Sequence, residues 1–165
     1  QQRARALQRD LQEIAGKDIL IFKPQIDDRA GNDYIATRSG EKIKAISINN
    51  IEDLENYNAD VYFIDEFQFL KGDVGAIEDL AQKGKKFFIS GLNLTAERKP
   101  FGKMAELLCN ADNVQMMTSI CECCHTDNAV YSFCKEEKTG DILIGDSQYI
   151  PVCSKCYERL TREKK

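Results

Sequence analysis

Basic charge is scarce in this sequence: 23 Lys and Arg stand against 27 Asp and Glu, a net charge of −4 over 165 residues. That balance lacks the footprint that follows a nucleic-acid backbone, so no nucleic-acid partner is expected. Long apolar runs are absent too. None approaches the ~20 residues that a membrane helix requires, and no charged-then-apolar leader opens the chain. The expectation is an intracellular, cytoplasmic protein with no membrane association. An extracellular disulfide framework is also missing, because the seven cysteines are odd in number and unevenly spread. There is no internal repeat and no low-complexity segment, and the one histidine, His125, sits beside a cysteine pair, where it reads as a bystander or supporting donor rather than a catalytic base.

What remains is an ordinary globular chain, 42% hydrophobic and long enough to bury a core. Up to about residue 119, short β-branched or aromatic runs alternate with helical patterns, the signature of βαβ units around a mostly parallel sheet. The predicted strands are 18–22 (DILIF), 43–48 (IKAISI), 61–64 (VYFI), 86–90 (KFFIS) and 114–118 (VQMMT). Most are continuous apolar runs, as expected of strands covered on both faces. Helical stripes fall on Leu7, Leu11 and Ile14, on Val74, Ile77, Leu80 and Ala81 behind an Asp73 cap, and on Met104, Leu107 and Leu108 in a helix from Pro100 to Cys109. A short helix is expected over 51–57. Beyond residue 119 the composition changes and cysteines crowd in, which places a boundary between an α/β domain (1–119) and a second, metal-binding domain (120–165).

Two C-x2-C pairs, Cys121 with Cys124 and Cys153 with Cys156, carry the strongest local signal. Each knuckle places two thiolates on one ion, and two knuckles complete a tetrahedral zinc. Cys123 and His125 compete for a position, but Cys121 keeps both pairs at equal spacing. Four thiolates leave no open coordination position, so the zinc is expected to fold the segment rather than perform chemistry. A second signal is FIDEFQFL, in which strand 61–64 runs into Asp65 and Glu66. In an α/β sheet the functional crevice lies at the carboxyl ends of the strands, where an acid can organise the Mg2+ of a bound nucleotide. Phe67 and Phe69 are candidate pocket walls, and Gln68 can both donate and accept at a base or ribose edge.

FIDEFQF, GLNLTAERKPFG (residues 91–102), the paired knuckles and IGDSQYIPVCSKCY (144–157), in this order and spacing, resemble the type II thymidine kinases, the cellular and bacterial class with a structural zinc. The resemblance implies a P-loop NTPase-like α/β domain joined to a zinc-bearing lasso that closes over thymidine. It implies that Glu66 takes the proton from the nucleoside 5′-hydroxyl as it attacks the γ-phosphate of ATP, and that Asp65 organises Mg2+. It places Asp27, Asp28 and Arg29, with Gln68, at the ATP side. Around the nucleoside it places Phe69, Leu92, Ala96, Phe101, Ser132, the lasso residues Gly140, Asp141, Ile142, Leu143 and Ile144, and Tyr149. It further implies a homo-tetramer, deoxyuridine as a second acceptor, feedback inhibition by dTTP and a place in the salvage of DNA precursors.

The sequence departs from that family pattern in places. The glycine-rich phosphate loop G-x-x-x-x-G-K-[ST], which holds the β- and γ-phosphates, does not occur in these 165 residues. The expectation is that this loop lies upstream of Gln1 and that the residues as written do not hold ATP. Ala96 stands where the family commonly carries an aromatic residue against the thymine ring, Asn93 and Thr95 where bacterial relatives often have Asp, and Cys134 where many have Arg. The alternative reading is a non-catalytic zinc-ribbon interaction module on a degenerate nucleotide fold.

Overall fold

A computed structural model describes residues 15–27, 31, 33–36, 42–135 and 148–164. These residues fall into two compact units, one drawn from Gln1–Leu92 and Gly102–Asn110, the other from Asn93–Phe101 and Ala111–Lys165.

The first unit is built on a four-stranded sheet in the order β4-β1-β5-β6, with β1 Ile19–Pro24, β4 Ile46–Ile48, β5 Val61–Ile64 and β6 Lys86–Ile89. All three pairings are parallel, with Phe22 opposite both Ile46 and Ile64, and Ile64 opposite Ile89. The expected mixed α/β class with a parallel sheet is therefore what the chain forms. Helix α1 (Gly75–Gln82) connects β5 to β6 and buries Ala76, Ile77 and Leu80. The Asp73 carboxylate accepts the Gly75 N–H at 2.9 Å ahead of its first turn, and Gly84 ends it at φ 83°. A 3-10 turn at Ile51–Asn56 adds Ile51 and Leu54 to the same core. Within that core Phe22 stacks on Tyr62 at 5.5 Å and Tyr62 on Phe87 at 5.0 Å, and the buried Tyr62 hydroxyl donates to the Tyr57 carbonyl at 2.7 Å. The opposite sheet face, with Ile21, Phe63 and Phe88, is half-buried among the described residues.

Three sequence expectations need correction. The run 43–48 is not one strand. It breaks at buried Ala45, whose N–H donates to the Asp33 carbonyl at 2.9 Å, so that β3 (Lys42–Lys44) pairs antiparallel with β2 (Tyr34–Ala36) while β4 joins the main sheet. The helix expected from Pro100 starts later, as α2 (Met104–Asn110), because Pro100 is bridged to Leu94 and Gly102 adopts φ 51°. Residues 114–118 form no strand, and Val114, Met116 and Met117 are exposed instead of packed. The stripe Leu7, Leu11 and Ile14 lies outside the described residues.

The second unit is small. Strands β9 (Tyr131–Cys134) and β10 (Tyr149–Val152) pair antiparallel, as do β7 (Ser119–Ile120) and β8 (Asp127–Ala129), and helix α3 (Ser154–Glu163) starts within the second knuckle, with Cys153 at its N-cap and Cys156 in its first turn. Its core comprises Cys121, Ala129, Phe133, Val152, Cys153, Cys156 and Tyr157. The segment Asn93–Phe101 folds back on itself, with the Thr95 N–H on the Lys99 carbonyl at 2.8 Å and the Phe101 N–H on the Asn93 carbonyl at 3.0 Å.

Candidate functional site

At the carboxyl end of β5 the ladder continues one residue, as the Asp65 N–H donates to the Phe22 carbonyl at 3.0 Å. The next residue turns the chain sharply. Glu66 sits in the left-handed region at φ 51°, ψ 40°, and opens a single 3-10 turn over Phe67–Phe69. A side chain with a Cβ holds that conformation only at a cost of about 1–3 kcal/mol, which the surroundings must offset. Here the offset comes from Phe67, fully buried in the core, and from its N–H on the Ser90 carbonyl at 3.1 Å.

The turn leaves the two carboxylates differently held. Asp65 Oδ1 accepts the Ser90 hydroxyl at 2.6 Å, and Ser90 is the residue that follows β6. Glu66 Oε2 accepts the Gln68 side-chain amide at 2.6 Å. Gln68 is only 3% exposed, and its other end accepts the Leu92 N–H at 3.0 Å. A Cβ on Gly91 would lie 2.6 Å from Gln68 Oε1, and one on Gly102 would run into the Gln68 backbone carbonyl, so one glycine makes room for this side chain and the other for its backbone. Both half-buried acids are thus oriented by neighbours, at the strand ends where an α/β sheet binds its ligands.

Beside them, at the end of β1, Lys23 is fully buried and its Nζ donates to the carbonyls of Asp27 at 2.6 Å and Gly31 at 2.5 Å. Asp27 is 7% exposed, and its N–H returns to the Pro24 carbonyl at 3.0 Å.

In the second unit, the sulfurs of Cys121, Cys124, Cys153 and Cys156 all lie within 4.8 Å of one another, with 3.7 Å between those of Cys124 and Cys153. Zinc–sulfur bonds of ~2.3 Å in a tetrahedron put sulfurs about 3.8 Å apart, so the cluster fits the ion it was expected to hold. The thiols are unequally prepared. Burial pushes Cys121 up, but the backbone N–H groups of Cys153, Cys124 and Cys123 outweigh it and bring the thiol down to about 6. The Thr126 hydroxyl and then its backbone N–H lower Cys124, whereas burial and the neighbouring sulfurs raise Cys156. Cys123 is outside the cluster, as the equal-spacing choice expected.

A profile of the thymidine kinase family matches residues 6–157. The chain belongs to the thymidine kinase family. It is 35% identical to a thymidine kinase of Mycoplasma mobile over 150 residues, which is 88% of this chain and 74% of that protein. It is 29% identical to one from Pseudothermotoga lettingae over 157 residues, 92% of this chain and 84% of the relative. A thymidine kinase of Myxoma virus (strain Lausanne) is 32% identical over 147 residues, covering 88% and 82%.

Within the family frame, the first unit brings Asp65, Glu66 and Gln68 together at adjoining strand ends, with Asp27 at the end of the neighbouring strand. Phe69 is half-buried and Leu92 is 49% exposed. In the second unit Ala96, Ser132 and Tyr149 are half-buried, while Phe101 is 8% exposed. Asp28, Arg29, Gly140, Asp141, Ile142, Leu143 and Ile144 lie outside the described residues. Phe67, considered as a pocket wall, belongs to the core. Sequence reasoning missed Ser90 and Lys23, although each closes or follows an apolar strand, the same positional signal that found Asp65.

Proposed function

We propose that this protein transfers the γ-phosphate of ATP to the 5′-hydroxyl of thymidine, with Glu66 as general base. The oxygen–phosphorus bond to the nucleoside forms as the bond to the ADP leaving group breaks, and the hydroxyl proton passes to Glu66. The observation that carries this reading is the left-handed turn that presents Glu66 beside Asp65 at the end of β5 in a chain whose relatives are named thymidine kinases. Phosphoryl transfer asks chiefly for positioning and charge neutralisation, and a carboxylate held by a buried amide meets the first need.

Asp65, fixed by Ser90, is assigned to Mg2+, which when bound neutralises charge on the transferring phosphate. Asp27, Asp28 and Arg29 are assigned to the ATP side, with Lys23 fixing the backbone of Asp27. Phe69, Leu92, Ala96, Phe101, Ser132, residues 140–144 and Tyr149 are assigned to the nucleoside. The four cysteines hold a structural zinc. A homo-tetramer, inhibition by dTTP, use of deoxyuridine and a cytoplasmic role in nucleotide salvage complete the proposal.

The test is direct. Full-length zinc-loaded protein given thymidine and ATP should form thymidine monophosphate and ADP in equal amounts, and thymidine should bind in calorimetric titration at micromolar concentration. Zinc-loaded protein that binds no thymidine would remove the assignment.

A further inference from the structure

The segment Asn93–Phe101 is anchored to the zinc-binding unit by one residue that nothing in the reaction requires. Tyr157 directly follows the ligand Cys156, and its N–H is held by the carbonyl of the ligand Cys153 at 2.9 Å. It is 8% exposed, and its ring packs on Tyr131 at 5.3 Å and Phe133 at 5.8 Å. A phenol so buried needs a partner for its hydroxyl. That partner is the backbone carbonyl of Ala96, at 2.6 Å. Two residues further on, Arg98 adopts φ 60° and its guanidinium lies over the Tyr157 ring at 4.8 Å and the Tyr131 ring at 5.7 Å. The loop is therefore gripped twice, by a hydrogen bond to its backbone and by a cation over two aromatic faces.

We infer that Tyr157 is a positioning residue that passes the geometry of the zinc centre to the 93–101 loop. The first residues of α3 are fixed by two of the four ligands, so the hydroxyl of Tyr157 has a set location only while the knuckle is closed. Ala96 and Arg98 then follow. The consequence for nucleoside recognition rests on the assignment of Ala96 and Phe101 made above. The hydroxyl selects neither base nor sugar itself. It fixes the backbone that carries the residues which do.

The experiment uses Tyr157→Phe, which removes one oxygen and keeps the ring contacts, with Tyr131→Phe as the matched control. Trypsin cleaves after Arg98, whereas the Lys99–Pro100 bond resists it, so the fragment ending at Arg98, followed by mass spectrometry, reports loosening of this loop alone. Tyr157→Phe should retain its zinc and release that fragment roughly three- to ten-fold faster, the factor that one hydrogen bond is worth in an opening equilibrium. Tyr131→Phe should match the wild type, and stripping zinc from the wild type should accelerate the same cut. In full-length enzyme Tyr157→Phe should raise KM for thymidine several-fold with kcat within about two-fold, the pattern of lost binding without lost chemistry.

Unchanged cleavage in Tyr157→Phe overturns the inference whatever the kinetics. So does zinc loss in that variant, because the tyrosine would then be serving the metal and not the loop. Faster cleavage with an unchanged KM upholds the anchor and counts against the nucleoside assignment of the loop.

Discussion

Replacing Gln68 by Met removes two hydrogen bonds and almost no volume, which makes it the sharpest probe of how Glu66 is held. The amide bond to the Glu66 carboxylate, 2.6 Å long, is charge-assisted and worth about 1.5–3 kcal/mol, and the bond from the Leu92 N–H is worth about 0.5–1.5 kcal/mol. A thioether in a site only 3% exposed recovers part of this through apolar contact. The net expectation is a loss of roughly 2–3 kcal/mol in urea unfolding, large enough to measure and small enough to leave the fold intact. The kinetic effect should be disproportionate. A general base free to swing by about an ångström costs on the order of 100-fold in turnover, so kcat should fall ~10- to 100-fold while the calorimetric affinity for thymidine changes little. If Gln68→Met kept wild-type kcat, the Glu66–Gln68 contact would have no part in orienting the base. A loss of ATP affinity at unchanged kcat would instead return Gln68 to the ATP-side role expected from the family resemblance.

Glu66→Gln should abolish turnover and leave thymidine binding largely intact in titration; substantial residual kcat would refute the base assignment. Gly102→Ala should destabilise the first unit by about 2 kcal/mol or more, because a Cβ there meets the Gln68 carbonyl in a backbone conformation that disfavours side chains, and a thermal scan would show it. In zinc-free protein, Cys121 has a thiol drawn below its ordinary 9.0 to about 6, so its contribution to stability is fully present above pH 9 and disappears as the pH falls through 6. Zinc binding must also displace the proton that burial retains on Cys156, so competition with a chelator should show affinity falling as the solution is acidified.

The strands that frame the carboxylates were legible because each of β1, β5 and β6 contains an apolar run, ILIF, VYFI and FFI, with one position in the core sheet. The knuckles were legible because metal spacing is local. Where reading failed, an equally good local pattern was decided by partners distant in sequence. The run 114–118 has the composition of a strand yet forms no ladder, and 43–48 was split by the Ala45 bond to Asp33. Pro100 looked like a helix start until its bridge to Leu94 took it elsewhere. Asp65 and Glu66 could be found as residues, but the left-handed turn that separates their directions and the buried amide that steadies one of them could not. Both depend on Ser90, Gly91 and Leu92, more than twenty positions downstream.

Three of the seven residues in the core of the second unit belong to the four-cysteine cluster assigned to zinc. Such a unit has little apolar substance of its own, so its folded fraction obeys mass action: each tenfold rise in free zinc above the dissociation constant adds about 1.4 kcal/mol to its stability. The supply of a trace metal is thereby written into the lifetime of the polypeptide. A cell short of zinc would hold a larger fraction of this chain with the second unit unfolded and open to proteases, and so would lose more of the protein by turnover.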